Sequence, residues 1–156
     1  MTAALQDRAI HLVDIENLVG GPRATGSDVR RTLDRYLAAA GWRRGDIVYI
    51  AANPRLALEF VWDCPVDANI HTACGKDGAD LALLAQAAPE FVARRARRLV
   101  VGSGDGIFVT RAKAARDLGV AVTIVARPRS LHHDFRRCGF DVVLLDVPAD
   151  ARLVAA

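Results

Sequence analysis

The feature that most constrains this chain is alternation. Short, mostly apolar runs at residues 10–13, 47–51, 98–102, 120–126 and 142–145 read as buried strands bounded by turn residues. A weaker run at 68–72 completes the series. Between them lie stretches with apolar residues at helical spacing, such as Val29, Leu33, Tyr36 and Leu37. Strands that alternate with helices imply right-handed crossovers and a mainly parallel sheet covered on both faces. The expected architecture is a single-domain three-layer α/β/α sandwich.

The helices are expected from Ser27 or Asp28 to Ala40, from Pro54 to Val61, and from Ala79 to Ala88. Two more are expected from Ile107 to Leu118 and from Leu131 to Cys138. Gly41 and Gly119 suit C-terminal caps. The domain is expected to span residues 1–148, with 149–156 as a tail.

A chain of 156 residues, 52% hydrophobic and 25% charged, has one domain's length and a globular balance. No apolar run approaches the roughly 20 residues of a membrane span. The first eight residues lack the apolar centre of a signal peptide. The three cysteines, Cys64, Cys74 and Cys138, form no CxxC pair, which argues against a disulfide framework or a zinc ribbon. A cytoplasmic protein is expected. The net charge of +3 points only weakly to nucleic acid, and the excess of 19 Arg over 2 Lys fits a GC-rich genome.

In a parallel α/β sheet the ligand lies beyond the carboxyl ends of the strands. There the chain places acids. The first strand runs into Asp14-Ile15-Glu16-Asn17, and the fourth into Gly102-Ser103-Gly104-Asp105-Gly106. Asp80 opens a helix after Gly78-Ala79. Each acid alone is an ordinary cap or turn residue. Together they predict a carboxylate cluster, whose mutual repulsion a divalent cation removes. Oxygen ligands suit Mg²⁺ or Mn²⁺ rather than zinc.

The segments Val13-Asp14-Ile15-Glu16-Asn17, Gly75-Lys76-Asp77-Gly78-Ala79-Asp80 and Val100-Val101-Gly102-Ser103-Gly104-Asp105 resemble, in this order, those of NYN domains. Ser130-Leu131 followed by Asp134-Phe135 resembles the last helix of that family, a branch of the PIN-like nucleases with a Rossmann-like sheet. The resemblance covers roughly residues 10–146. It implies a metal-dependent ribonuclease acting on RNA, with Asp14, Asp80 and Asp105 holding Mg²⁺ or Mn²⁺. It also implies that Asn17 supports the first acid and that Ser103 stands beside the third. A homodimer is compatible with it, although no apolar stripe marks one. The chain departs from the pattern at Ile107, where the family often carries a further acid. That departure weakens a second metal site and leaves open an RNA-binding or partner-binding domain that does not cut. Glu16 and Asp77 are nearby acids that could compensate, and a solvated surface role suits each equally well.

Residues 94–137 hold 11 Lys or Arg and three acids. The Arg94–Arg98 cluster precedes the fourth strand, so it is expected at the far edge of the sheet from the acids. Arg127 and Arg129 follow the fifth strand on the acidic side and are candidates to hold RNA phosphates, as is Lys76. His132 and His133 are expected on different faces of the last helix, as exposed residues. A phosphorylation receiver would need an acid after the third strand, where this chain has Ile70-His71-Thr72. A dinucleotide site would need a third glycine after Gly102-Ser103-Gly104 and a distal acid.

Overall fold

The strands are nearly continuous apolar runs because both their faces are covered. In the computed structural model, which describes residues 7–21 and 23–145, six parallel strands form one sheet in the order β3-β2-β1-β4-β5-β6. They are β1 (Ala9–Asp14), β2 (Ile47–Ala52), β3 (Asn69–Thr72), β4 (Arg98–Gly102), β5 (Ala121–Ala126) and β6 (Asp141–Leu144). The expected sheet is thus wholly parallel. The expected tail at 149–156 lies outside the described residues.

Helices α1 (Ile15–Val19), α2 (Gly26–Ala39) and α3 (Pro54–Phe60) cover one face. Helices α4 (Gly78–Gln86), α5 (Pro89–Arg95), α6 (Val109–Asp117) and α7 (His133–Arg137) cover the other. The alternation of β1 makes this visible: Ile10 and Leu12 face Leu83 and Phe108, whereas Ala9 and Val13 face Val29 and Leu33. No helix among the described residues is long and apolar enough to cross a membrane.

Several boundaries differ from expectation for local reasons. The α2 cap is Thr25, not Ser27 or Asp28. The Asp28 N–H donates to Thr25 Oγ1 at 3.2 Å while the Thr25 N–H donates to Asp28 Oδ2 at 2.9 Å, a reciprocal capping box. Gly26 fits behind it because a Cβ there would lie 2.6 Å from the Glu59 carbonyl oxygen of α3. The expected helix from Ile107 begins instead as a 3₁₀ turn, Gly106–Phe108. The last helix starts at His133 rather than Leu131, because Pro128–Ser130 forms a separate 3₁₀ turn. The helices α1 and α5 were not expected at all.

One buried polar network fixes β1 to the layer of α2. His11 is fully buried, its Nε2 lies 3.2 Å from Asp46 Oδ2 and its Nδ1 lies 3.0 Å from the Tyr36 hydroxyl. A carboxylate can only accept, so Nε2 carries the proton and the Tyr36 hydroxyl donates to Nδ1. Burial holds the His11 pKa below its usual value, against the opposing pull of Asp46.

Candidate metal centre

The sheet order reverses between β1 and β4, since β1 leads on through β2 and β3 while β4 leads through β5 and β6. Such a switch point opens a crevice at the carboxyl ends of the two strands. The register pairs Val13 with Gly102, so the residues that follow, Asp14 and Ser103, leave the sheet side by side.

Asp14 ends β1 and caps α1. Its Oδ1 accepts the Asn17 N–H at 3.2 Å, and its Oδ2 accepts the Ser103 hydroxyl at 3.3 Å. The Ser103 Oγ in turn accepts the Asp105 N–H at 3.2 Å. One buried hydroxyl therefore links the first acid to the loop that carries the third. The Asn17 Oδ1 accepts the Gly104 N–H at 3.0 Å and fixes the same loop from the other side. The Asp105 Oδ1 accepts the Ile107 N–H at 2.9 Å and caps the 3₁₀ turn. Asn17 thus touches Asp14 through its backbone N–H and the Gly104 loop through its side chain, and Ser103 touches both Asp14 and Asp105.

Asp80 comes from the opposite layer. It lies in the first turn of α4 and is 7% exposed. The cap position of α4 belongs to Asp77, in the left-handed region at φ 57°, and no side chain caps that helix end. Asp80 is thus free of the ordinary capping duty. Its carboxyl meets that of Asp14 within hydrogen-bonding reach, and its Oδ1 is buried with no hydrogen-bond partner among the described residues.

The electrostatics follow from this pairing. Burial pushes the Asp80 carboxyl up to about 8, reinforced by the hydrogen bond to Asp14 and by the charges of Asp14, Asp105 and Asp77. Burial also raises Asp14, while the hydrogen bonds from Asp80, Asn17 and Ser103 pull it back. Both carboxyls are thus held above the ordinary carboxylate range.

These groups border an open cleft of about 220 Å³, lined by Asp14, Glu16, Asn17, Asn53, Asp77 and Asp80 among others. Asp105 stands outside this lining, although its charge reaches Asp80. Glu16 is not a solvated surface acid: its Oε1 accepts both the backbone N–H and the side-chain amide of Asn53 at 2.8 Å. Asn53 escaped the sequence reading. Its position after β2, next to β1, marks it by the same carboxyl-end rule that picked out Asp14.

The basic candidates divide. Lys76 and Arg129 are exposed, on the loop before α4 and the turn after β5. Arg127 is turned to the protein itself. Its Nε donates to the Asn17 carbonyl oxygen at 2.9 Å, and its guanidinium lies where a Cβ on Gly20 would fall, 2.7 Å from Nη1. It braces the C-terminal end of α1 and so the segment that carries Asp14.

The histidine pair also departs from expectation. His132 precedes α7 in an extended conformation, so it does not share the helical geometry of His133. The two rings stack, with centroids 4.4 Å apart, rather than pointing to different faces.

No family model matches the chain, and no curated protein matches it. A solved structure does. The crystal structure of a protein of unknown function, VPA0982 from Vibrio parahaemolyticus, superposes with a TM-score of 0.61 at 16% sequence identity. The fold is shared. The match covers 94% of this chain and 97% of that one.

Proposed function

We propose that this protein is a divalent-metal-dependent ribonuclease that hydrolyses RNA phosphodiester bonds at the acidic cleft. The observation that carries this reading is the buried Asp80 Oδ1 beside the Asp14 carboxyl, which has no hydrogen-bond partner among the described residues. A buried oxygen left unpaired is costly, and a cation satisfies it. The polar side chains of the cleft are carboxylates and amides, a donor set that fits Mg²⁺ or Mn²⁺. The resemblance of the acid-bearing segments to NYN domains supports the same assignment.

Asp14, Asp80 and Asp105 would hold the ion. Bound there, it supplies Lewis-acid activation of water and neutralises charge at the scissile phosphate. The chain's own residues do the rest. The Ser103 hydroxyl keeps Asp14 aimed at the cleft, and the Asn17 amide holds the Gly104 backbone that leads to Asp105. Lys76 and Arg129 hold flanking phosphates of single-stranded RNA. A cytoplasmic setting suits the cysteines Cys64, Cys74 and Cys138, which are all unpaired.

One observation favours a second reading, an RNA-binding domain that does not cut. The Ile107 side chain packs against the core, so an apolar group stands where the family resemblance would put an acid. Labelled single-stranded RNA with metal-stripped protein separates the readings. Cleavage restored by Mn²⁺ or Mg²⁺, and abolished by Asp14→Asn in a folded variant, is the expected result. Binding without cleavage in either metal gives the second reading, and equal cutting by Asp14→Asn puts the activity elsewhere.

A further inference from the structure

We propose that Glu16 is a further ligand of the cation in the acidic cleft, and that Asn53 is the positioning residue that holds it there. The inference rests on the metal reading above and names the acid that makes up for the one missing at Ile107. Glu16 stands in the first turn of α1, just after Asp14, and Asn53 follows β2. The register sets Asp14 beside Ala51, so the ends of β1 and β2 open into one cleft. Asp14, Glu16, Asn53, Asp77 and Asp80 all line it, whereas Asp105 and Ile107 lie outside the lining. No Lys or Arg side chain lines the cleft among the described residues. Like charges gathered without a base call for a cation, and oxygen ligands suit a hard one.

Glu16 is half-buried and held at one oxygen. Asn53 donates to its Oε1 through the backbone N–H and through Nδ2, both at 2.8 Å. The Asn53 side chain is fixed in turn, because its Oδ1 accepts the Leu56 N–H at 2.9 Å and caps α3. The amide therefore has one orientation, with Nδ2 towards Glu16. The two donors fill the lone pairs of Oε1. Oε2 has no hydrogen-bond or ion-pair partner among the described residues and is the oxygen left for a cation. Burial, and after it the charge of Glu16, raise the Asp14 carboxyl, so the two acids already feel each other. An independent observation comes from the other layer. Asp80 lines the same cleft from α4, is 7% exposed, and keeps its Oδ1 without a hydrogen-bond partner among the described residues.

The test is a calorimetric titration of metal-stripped full-length protein with Mn²⁺, beside Glu16→Gln, Asn53→Ser and Asp77→Asn, each first shown by a thermal melt in EDTA to be folded. Glu16→Gln keeps an oxygen to accept from Asn53 and removes only the charge. It should bind Mn²⁺ more than about tenfold more weakly, since even the loss of an outer-shell partner costs that much. Asn53→Ser keeps a side-chain oxygen to cap α3 and removes Nδ2. It should bind about tenfold more weakly. Asp77 is exposed on the same cleft, so Asp77→Asn measures the effect of a nearby charge alone. It should weaken binding by less than about fivefold, as a solvated charge does. Parent affinity in Glu16→Gln would reduce Glu16 to a tie between α1 and β2 and overturn the proposal. An equal loss in Glu16→Gln and Asp77→Asn would overturn it too, as the mark of a general field. Parent affinity in Asn53→Ser would remove the positioning role of Asn53. A parent that binds no Mn²⁺ would instead remove the metal reading itself, and this proposal with it.

Discussion

The Ser103 hydroxyl donates to Asp14 Oδ2 at 3.3 Å, joining residues 89 positions apart in the chain and adjacent across the β1–β4 switch point. The Ser103 Oγ also accepts the Asp105 N–H, and Ser103 is fully buried. Ser103→Ala removes both contacts. It should cost about 1–3 kcal/mol in stability, the penalty of leaving buried polar groups unpaired. Chemical denaturation measures this, and Mn²⁺ affinity should fall in the same variant because Asp14 loses its aim.

Asp80 should make the metal-free protein less stable at higher pH. Its folded pKa of about 8 lies above the ordinary 3.8, so ionising it is harder in the folded state than in the unfolded one. The fold therefore loses stability as pH rises from the lower value to the upper. In EDTA at pH 8, Asp80→Asn should melt above the parent, and the gap should close towards pH 4. Added Mn²⁺ should raise the melting temperature of the parent and not of the variant. Thermal melts across that range read both effects.

His11 should act in the opposite direction. Its folded pKa is held below the usual 6.5, so its contribution to stability is present above that pH and lost as pH falls through the folded value. Acidification from pH 7 to pH 5 should destabilise the parent more than His11→Gln. Tyr36→Phe removes the donor to Nδ1 and should cost about 1–3 kcal/mol at pH 7. Denaturant midpoints at the two pH values give the comparison.

Gly104 allows the acid loop to pass close to the turn after β5. A Cβ at this position would collide with the Ser130 carbonyl oxygen. Gly104→Ala should cost about 1–3 kcal/mol through overpacking and displace Asp105. Weaker Mn²⁺ binding than in the parent, measured by calorimetry at a temperature where the variant is still folded, checks the displacement.

The layers and the strand ends were legible because a buried parallel strand writes itself as an apolar run, and the residue that follows it stands at the crevice. Asp14 and Asp105 could be read that way. The rest needed contacts between distant segments. The helices α1 and α5 are too short to show periodicity: α1 is five residues between the Asp14 cap and Gly20, and α5 is seven residues opened by Pro89. Arg127 looked like a phosphate ligand because its strand end faces the acids. Only the fold shows its guanidinium braced against Asn17 and Gly20. The His132–His133 stack was hidden by a helix start two residues later than expected, which changes the direction of one ring.

The central claim is that Asp14 and Asp80 hold a hard divalent cation. A crystal structure of the protein soaked in Mn²⁺ tests it most directly, through the anomalous scattering of the ion. Mn²⁺ is expected between the Asp14 and Asp80 carboxylates, with Asp80 Oδ1 among its ligands and Asp105 turned towards it. A cleft without Mn²⁺ at saturating concentration would contradict it.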